Sequence, residues 1–377
     1  MTCYDLSPAT QAWTQRVSTK IAILDDDHII RMTRYAIGGG EITDQWARDF
    51  FLPQDMDLAE VRAMGDGLHE QDGVSLVPMS AKLDLRKGSD ATILIFRRGV
   101  IDAELIAANP KLQLIQRIGE RADGIDLKAA AAKGILVSCV PRHSLQTTAE
   151  HAILLMLALG KRLVEADAAV RADRWDRARV HPENGVAYNW VGLSNLGGLY
   201  GKTLGIIGLG EVGSMVAGIA RGFGMKVLYC NRTRLPAERE EKLGVSYAPL
   251  TDLLAQSDFV SVHATNLPEN RGLIDAKVFG AMKRTAFFVN TARGRLVDED
   301  ALYAALTNGT IAGAGLDVHV EEPRPTPDRF AALTNVILTP HCAGGSRKGV
   351  LLEIAAMLEN CRAVLAGKPI KYQVTAR

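Results

Sequence analysis

GKTLGIIGLGEVGSMVAGIARGFG, residues 201–224, decides how the rest of the chain is read. Thr203–Ile207 is a short apolar run of the kind that forms a buried strand, and the residues after Gly213 continue as a helix. Between them Gly208-Leu-Gly210-Glu-Val-Gly213 has the spacing Gly-x-Gly-x-x-Gly. Glycine is common here, 35 of 377 residues, so the spacing acquires meaning only from the strand before it and the helix after it. In that setting the first glycine permits a tight turn and the second lets the backbone approach a pyrophosphate. The third lets helix and strand pack closely. The helix N-terminus then offers N–H groups and a partial positive charge to the phosphates. The stretch predicts a dinucleotide site, with Gly208, Gly210, Glu211, Val212 and Gly213 in its loop.

The next strand, MKVLYC, runs into Asn231-Arg232-Thr233-Arg234. No carboxylate stands there to take a ribose 2′-hydroxyl, and two guanidiniums are available to pair with a 2′-phosphate. NADP(H) is therefore the favoured cofactor and NAD(H) the alternative. That strand is read at Val227–Cys230, and beyond it strands are predicted at Phe259–His263, Ala286–Asn290, Gly313–Leu316 and Val336–Leu338. Helices are predicted from Glu211, near Leu250–Gln256, at Asp298–Thr307 and near Arg347–Ala366. Upstream, Lys20–Leu24, Ala91–Phe96, Leu112–Ile118 and Ile135–Val140 read as strands. Asp102–Asn109 and Asp126–Lys133 read as helices, the second closed by Gly134. Thr147–Val170 reads as one long helix and Asn184–Gly201 as a loop. Strands alternating with helices predict an α/β chain with parallel sheets, in two units that meet near residue 150.

Composition narrows the partners. A formal net charge of +1 gives no electrostatic case for nucleic acid or an anionic membrane. The five cysteines are scattered and form no CxxC, so neither a disulfide framework nor a zinc site is expected. MTCYDLSPATQAWTQRVSTK lacks the basic start and apolar core of a signal peptide. The strongest apolar run, Ala152–Gly160, falls far short of the roughly 20 residues a membrane helix needs. A cytoplasmic protein without a bound metal is the expectation.

Three polar residues stand at or just beyond predicted strand ends, where open parallel sheets bind ligands: Arg293, Glu322 and His341. Here the chain resembles the D-isomer-specific 2-hydroxyacid dehydrogenase family. The resemblance runs from about Ile93 to Ile370, through GIDLKAAAAKGI, TTAEHAILLMLAL, GKTLGIIGLGEVG, NTARGRLVDEDAL, AGAGLDVHVEEP and NVILTPHCAGGS. It implies two doubly wound domains, Rossmann-like or flavodoxin-like. A substrate domain of residues 1–150 plus 345–377 would hold an inserted cofactor domain of residues 151–344. It also implies a homodimer formed through the cofactor domains.

The resemblance places the family's catalytic trio on Arg293, Glu322 and His341, and the chemistry suits them. Hydride reaching a carbonyl carbon leaves negative charge on oxygen, which needs a cation nearby and then a proton. Arg293 would orient the substrate carboxylate and polarise the carbonyl. His341 would give the proton, and take it back in oxidation. Glu322 would hold the imidazolium by a charge-assisted hydrogen bond. The resemblance also puts Asp317 on the nicotinamide carboxamide and Thr291 and Ala292 along the same face. His263 and Ala264, and Ala343 beside His341, fall at cofactor-contacting positions. The residues themselves allow His263 a structural role, and nothing marks Cys342 as reactive.

Two segments depart from the family pattern. The substrate-carboxylate loop usually reads Gly-x-Gly-x-Asp; here Gly119, Glu120 and Arg121 open it, with arginine at the second glycine. Arg121 either folds away beside Glu120 or enters the pocket and selects an additional anionic group. In HATNLPENRGLI, Thr265 and Leu267 replace the family's proline and threonine. The expected activity is that of a 2-hydroxyacid dehydrogenase or 2-oxoacid reductase, with glyoxylate, hydroxypyruvate, phosphoglycerate and bulkier oxo acids all open. The alternative is a dinucleotide-sensing, corepressor-like binding protein on the same fold, against which no long tail is read after the last helix. Formate dehydrogenases, the other rival, pair their histidine with glutamine, which Glu322 opposes.

Overall fold

A computed structural model describes residues 19–24, 28–38, 42–51, 57–77, 84–174, 187–344 and 347–376. The leader with Cys3, the loop expected at 184–186, and Gly345 with Ser346 lie outside these residues. The chain divides into two compact units, Met1–His143 with Arg347–Arg377, and Ser144–Ser346.

The first unit runs β1 (Thr19–Ile23), α1 (His28–Ile37), α2 (Asp44–Phe51), α3 (Leu58–Ala63), β2 (Val74–Leu76), β3 (Ile93–Phe96), α4 (Ala103–Ala108), β4 (Leu114–Ile118), α5 (Leu127–Ala132) and β5 (Leu136–Val140). Its strands are all parallel in the order β2-β1-β3-β4-β5, a flavodoxin-like winding. β3 reads Ile-Leu-Ile-Phe with every side chain buried, as a strand covered on both faces must. Asp102 and Asp126 cap α4 and α5 by accepting from Leu105 N and Ala129 N.

The second unit begins with α6 (Leu145–Gly160) and α7 (Leu163–Arg171). It continues β6 (Thr203–Ile207), α8 (Glu211–Gly222), β7 (Lys226–Cys230), α9 (Ala237–Leu243), β8 (Ser246–Tyr247), α10 (Leu250–Gln256), β9 (Phe259–Val262) and α11 (Ala276–Gly280). β10 (Phe287–Asn290), α12 (Glu299–Thr307), β11 (Gly313–Leu316) and β12 (Val336–Leu338) complete it. The sheet order is β12-β11-β10-β9-β6-β7-β8, all parallel, and it reverses direction between β6 and β9. The crevice beyond the carboxyl ends of those two strands is where such sheets bind ligands.

The single long helix expected over Thr147–Val170 is instead two. Arg162 takes left-handed backbone, φ +50, between α6 and α7. Its guanidinium pairs with Glu165 and donates to the Ser194 carbonyl at 2.9 Å, contacts that offset the roughly 1–2 kcal/mol such a backbone costs. α6 is apolar nearly all round because it packs against α8, β10, β11 and β12. Gly315 in β11 allows that approach: a Cβ there would lie 3.0 Å from the Leu155 side chain.

The last helix, α13 (Arg347–Leu365), sends Ile354, Met357, Leu358 and Cys361 into the core that holds Ile21, Ile30 and Ile93 of the first unit. No helix among the described residues is long and apolar enough to cross a membrane.

Candidate active site

The glycine loop follows β6, and its three glycines sit in three different surroundings. Gly208, φ +96, has no room for a side chain: a Cβ would lie 2.7 Å from Ala264 N. A Cβ on Gly213 would come within 2.5 Å of the Gly208 carbonyl, so the start of α8 rests directly on the turn. Gly210 has nothing within 4 Å of its Cβ position, and as N-cap of α8 it contributes no side-chain acceptor. Open space at a helix N-terminus fits a pyrophosphate. Asn231 steadies the loop from β7, its Oδ1 accepting from Leu209 N at 2.7 Å. His263 and Ala264 close the loop's other side. Burial pushes His263 down to about 4, so the ring is neutral, with Nε2 2.9 Å from Ser261 Oγ. Thr291 Oγ1, at the end of β10, is buried with no hydrogen-bond partner, as expected of a group that a cofactor could engage.

The two arginines beyond β7 differ. Arg234 grips Glu240 with both arms, at 2.8 and 2.9 Å, and its guanidinium lies over Tyr247. Tyr229 donates to the same carboxylate at 2.7 Å, and Arg234, then Tyr229, pull Glu240 down to about 2. Arg232 is 70% exposed with a loose 3.4 Å contact to Glu269, and Thr233 is exposed. The pair expected to act together is thus one engaged arginine and one open one.

The segment after β10 carries Arg293. Asn290 holds it by donating to the Arg293 carbonyl at 3.0 Å and accepting from Ala292 N at 3.0 Å, which leaves the guanidinium exposed. Gly294 is pressed against the residues after β11, where a Cβ would lie 2.0 Å from the His319 carbonyl carbon. Gly294→Ala should therefore push the Arg293 segment off its neighbour. The expected result is about 1–3 kcal/mol lost from thermal unfolding and a fall in turnover larger than that loss alone produces. Unfolding and rate measurements on one preparation check it.

Glu322 and His341 meet directly. Glu322 Oε2 is 2.7 Å from His341 Nδ1, and Oε1 accepts from His319 N at 2.8 Å. Burial pushes the Glu322 carboxyl up, but the His319 N–H and the His341 ring outweigh it and the net shift is downward. The dyad's carboxylate is therefore ionised at neutral pH. With Nδ1 taken, Nε2 is the ring nitrogen left for proton transfer. Arg293 and Glu322 line one cavity of about 280 Å³, and Glu322 and His341 a second of about 580 Å³.

Asp317, which the resemblance places on the nicotinamide carboxamide, also anchors the loop that carries His341. It is fully buried, and its oxygens accept from Thr339 Oγ1 at 2.6 Å, Cys342 N at 3.0 Å and Ala343 N at 3.0 Å. These bonds tie the end of β11 to the loop that carries His341. His151, from α6, adds a 3.0 Å contact to Thr339 Oγ1. Burial raises the Asp317 carboxyl, but these donors and the His151 ring bring it below its ordinary value. Burial and Asp317 together push the Cys342 thiol up, away from a reactive thiolate.

The predicted carboxylate loop lies in the first unit. Gly119, φ +139, donates to the Val140 carbonyl at 2.8 Å. Arg121 pairs with Asp123 at 3.2 Å and is exposed. Glu120 follows Gly119 at the head of the loop and is exposed. Arg117, missed from the sequence, shapes the loop by donating from the end of β4 to the Arg121 carbonyl at 2.6 Å and to the Asp123 carbonyl.

A glycine loop at a sheet's switch point, with a carboxylate–imidazole pair beyond neighbouring strands, defines a dinucleotide-dependent oxidoreductase. The comparisons make it more particular. Residues 153–343 match the family profile described as D-isomer specific 2-hydroxyacid dehydrogenase, NAD binding domain. A glyoxylate reductase of Korarchaeum cryptofilum is 42% identical over 272 residues, 72% of this chain and 79% of its own. The D-mandelate dehydrogenase of Rhodotorula graminis shares the architecture with TM-score 0.58 and 26% identity, over 95% of this chain and 98% of its own. An NADPH-dependent glyoxylate/hydroxypyruvate reductase from Sinorhizobium meliloti gives 0.55 and 26%, over 94% and 97%. The chain belongs to the D-isomer-specific 2-hydroxyacid dehydrogenase family. It is an NAD(P)-dependent enzyme that interconverts 2-hydroxy and 2-oxo acids, and the binding-protein alternative finds no support among these relatives.

Proposed function

We propose that the chain reduces a small 2-oxo acid of the glyoxylate class, using Arg293, Glu322 and His341 and preferring NADP(H). The 2.7 Å contact between Glu322 and His341 carries this reading. A bound nicotinamide supplies the hydride. Arg293 holds the substrate carboxylate and stabilises charge on the carbonyl oxygen, and His341 Nε2 delivers the proton that completes the hydroxyl. Glu322 stabilises the imidazolium before transfer. Curated relatives named glyoxylate reductase support the substrate class.

The absence of a carboxylate at Asn231 and the open Arg232 support the cofactor preference. Exposed Leu163, Val164 and Val170 on α7 support a homodimer through this unit. Free Cys139, Cys230, Cys342 and Cys361 suit a reducing, cytoplasmic setting.

The test follows NADPH and NADH absorbance with 2-oxo acids from glyoxylate to phenylpyruvate. NADPH oxidation with glyoxylate is the expected result, and turnover confined to bulky oxo acids would overturn the substrate class. Reduction takes a proton from His341 and hydroxy-acid oxidation returns one, so the two rates should respond to pH in opposite senses. A depressed carboxyl keeps its ion pair above the ordinary carboxylate range and loses it as pH falls through the folded value. The rate of reduction should therefore persist to mildly acid pH. A reduction rate that climbs with pH would remove His341 from the proton transfer.

A further inference from the structure

We infer that His319 is a positioning residue for the Glu322–His341 pair, locked in one tautomer by Arg324. The inference rests on the proposed roles of Glu322 and His341. His319 is 7% exposed, and it touches each segment that carries the site. Its backbone N–H donates to Glu322 Oε1 at 2.8 Å, while its carbonyl carbon lies against Gly294, next to Arg293. Its ring Nε2 is 3.0 Å from the carbonyl of Thr339, the residue two before His341.

The tautomer follows from the ring's other neighbour. Arg324 Nη1 lies 2.9 Å from His319 Nδ1. A guanidinium has only donors, so Nδ1 must present its lone pair and Nε2 must carry the hydrogen given to Thr339. A ring flipped about its axis would lose both bonds, and only the tautomer with its hydrogen on Nε2 makes them both. Arg324 cannot easily yield, because Asp328 binds it through both arms and Glu299 lies 3.3 Å away. The guanidinium also lies 4.9 Å from the centre of the Phe330 ring. Glu299 accepts from Val320 N at 3.1 Å as well, which fixes the chain beside His319. The charged and titratable groups around the ring are thus Arg324, Glu322, Glu299, Asp328 and His341.

The arrangement works as a strut. Glu322 and His341 come from different loops, after β11 and after β12, and His319 bonds to both. Without it the 2.7 Å contact loses its fixed separation. The proton donor then samples orientations in which Nε2 is displaced, and an error near 1 Å can cost about 100-fold in rate.

The experiment compares His319→Phe, which keeps an aromatic ring and removes both ring bonds, with Arg324→Leu, which removes the lock together with its pairs to Asp328 and Glu299. Both should lower kcat for 2-oxo acid reduction about 10- to 100-fold and leave the KM for the dinucleotide within about twofold. Both should also displace the alkaline limb of the kcat–pH profile. The double variant should be no worse than the worse single one, because the two act through one linkage. A wild-type kcat and unshifted pH profile in either folded single variant would overturn the inference. Should His319→Phe fail to fold, Arg324→Leu decides alone. His341→Asn tests the underlying reading separately: if that variant turns over normally, the roles of the pair fail, whatever His319 does.

Discussion

His341→Asn should lower the turnover of 2-oxo acid reduction by about 10²–10⁴-fold while dinucleotide binding persists. Asparagine is the informative replacement because His341 sits at φ +53, a left-handed backbone that asparagine tolerates better than most residues. The main-chain bond from residue 341 to the Asp317 carbonyl, 2.8 Å, survives, so the loop keeps its shape. What disappears is a ring that can carry a proton and release it. Substrate KM should move little, since the proposed roles give the carboxylate to Arg293 and not to His341. Turnover within threefold of the parent would show that the proton comes from elsewhere.

Gly210→Val should weaken dinucleotide binding about 10²-fold or more and leave the apoprotein folded. Nothing lies within 4 Å of a Cβ at this position, and its φ of −91 is open to any residue. The valine methyls instead occupy the approach to the first turn of α8. Loss of about two charge-assisted contacts, roughly 1.5–3 kcal/mol each, weakens binding by about 10²-fold or more. Gly213→Ala is the contrasting case: its Cβ meets the Gly208 carbonyl at 2.5 Å, so it should lower the melting temperature. Valine at 210 with parental affinity for NADPH would place the pyrophosphate elsewhere.

Much of the second unit was legible because its strands are apolar runs punctuated by glycine, proline or a capping acid. The strands Thr203–Ile207, Gly313–Leu316 and Val336–Leu338 match the structure residue for residue. In the first unit, α1 escaped notice because its buried face includes Thr33 and Arg34. Arg34 spends its donors on the Val77 and Ile23 carbonyls, contacts that no periodicity reveals. α9 is almost wholly polar and is bounded only by Pro236 and Gly244, while β8 spans two residues. The break at Arg162 carries no proline, and its cause, Glu165 and Ser194, lies partly over thirty residues away.

The site divided in the same way. Strand-end position and motif register made Arg293, Glu322 and His341 visible. The contacts that hold them were not visible: Asp317 bonded to the loop of His341, His151 reaching from α6, and His319 braced by Arg324. Each depends on a partner brought near by folding, and sequence spacing carries no trace of that proximity.

The placement of α13 has a consequence for how the protein is made. Chain growth delivers β1 first and Cys361 some three hundred and forty residues later, yet both belong to one core. At biosynthetic rates of about 5–20 residues per second, the first unit waits many seconds for its closing helix. During that time Val350, Leu351 and Ile354 are not yet there to cover Ile30 and Ile93. The residues between, Ser144–Ser346, already include every strand of their own sheet and can fold while the ribosome is still extending the chain. The nascent protein would therefore acquire its nucleotide-binding half before the half that encloses it in sequence.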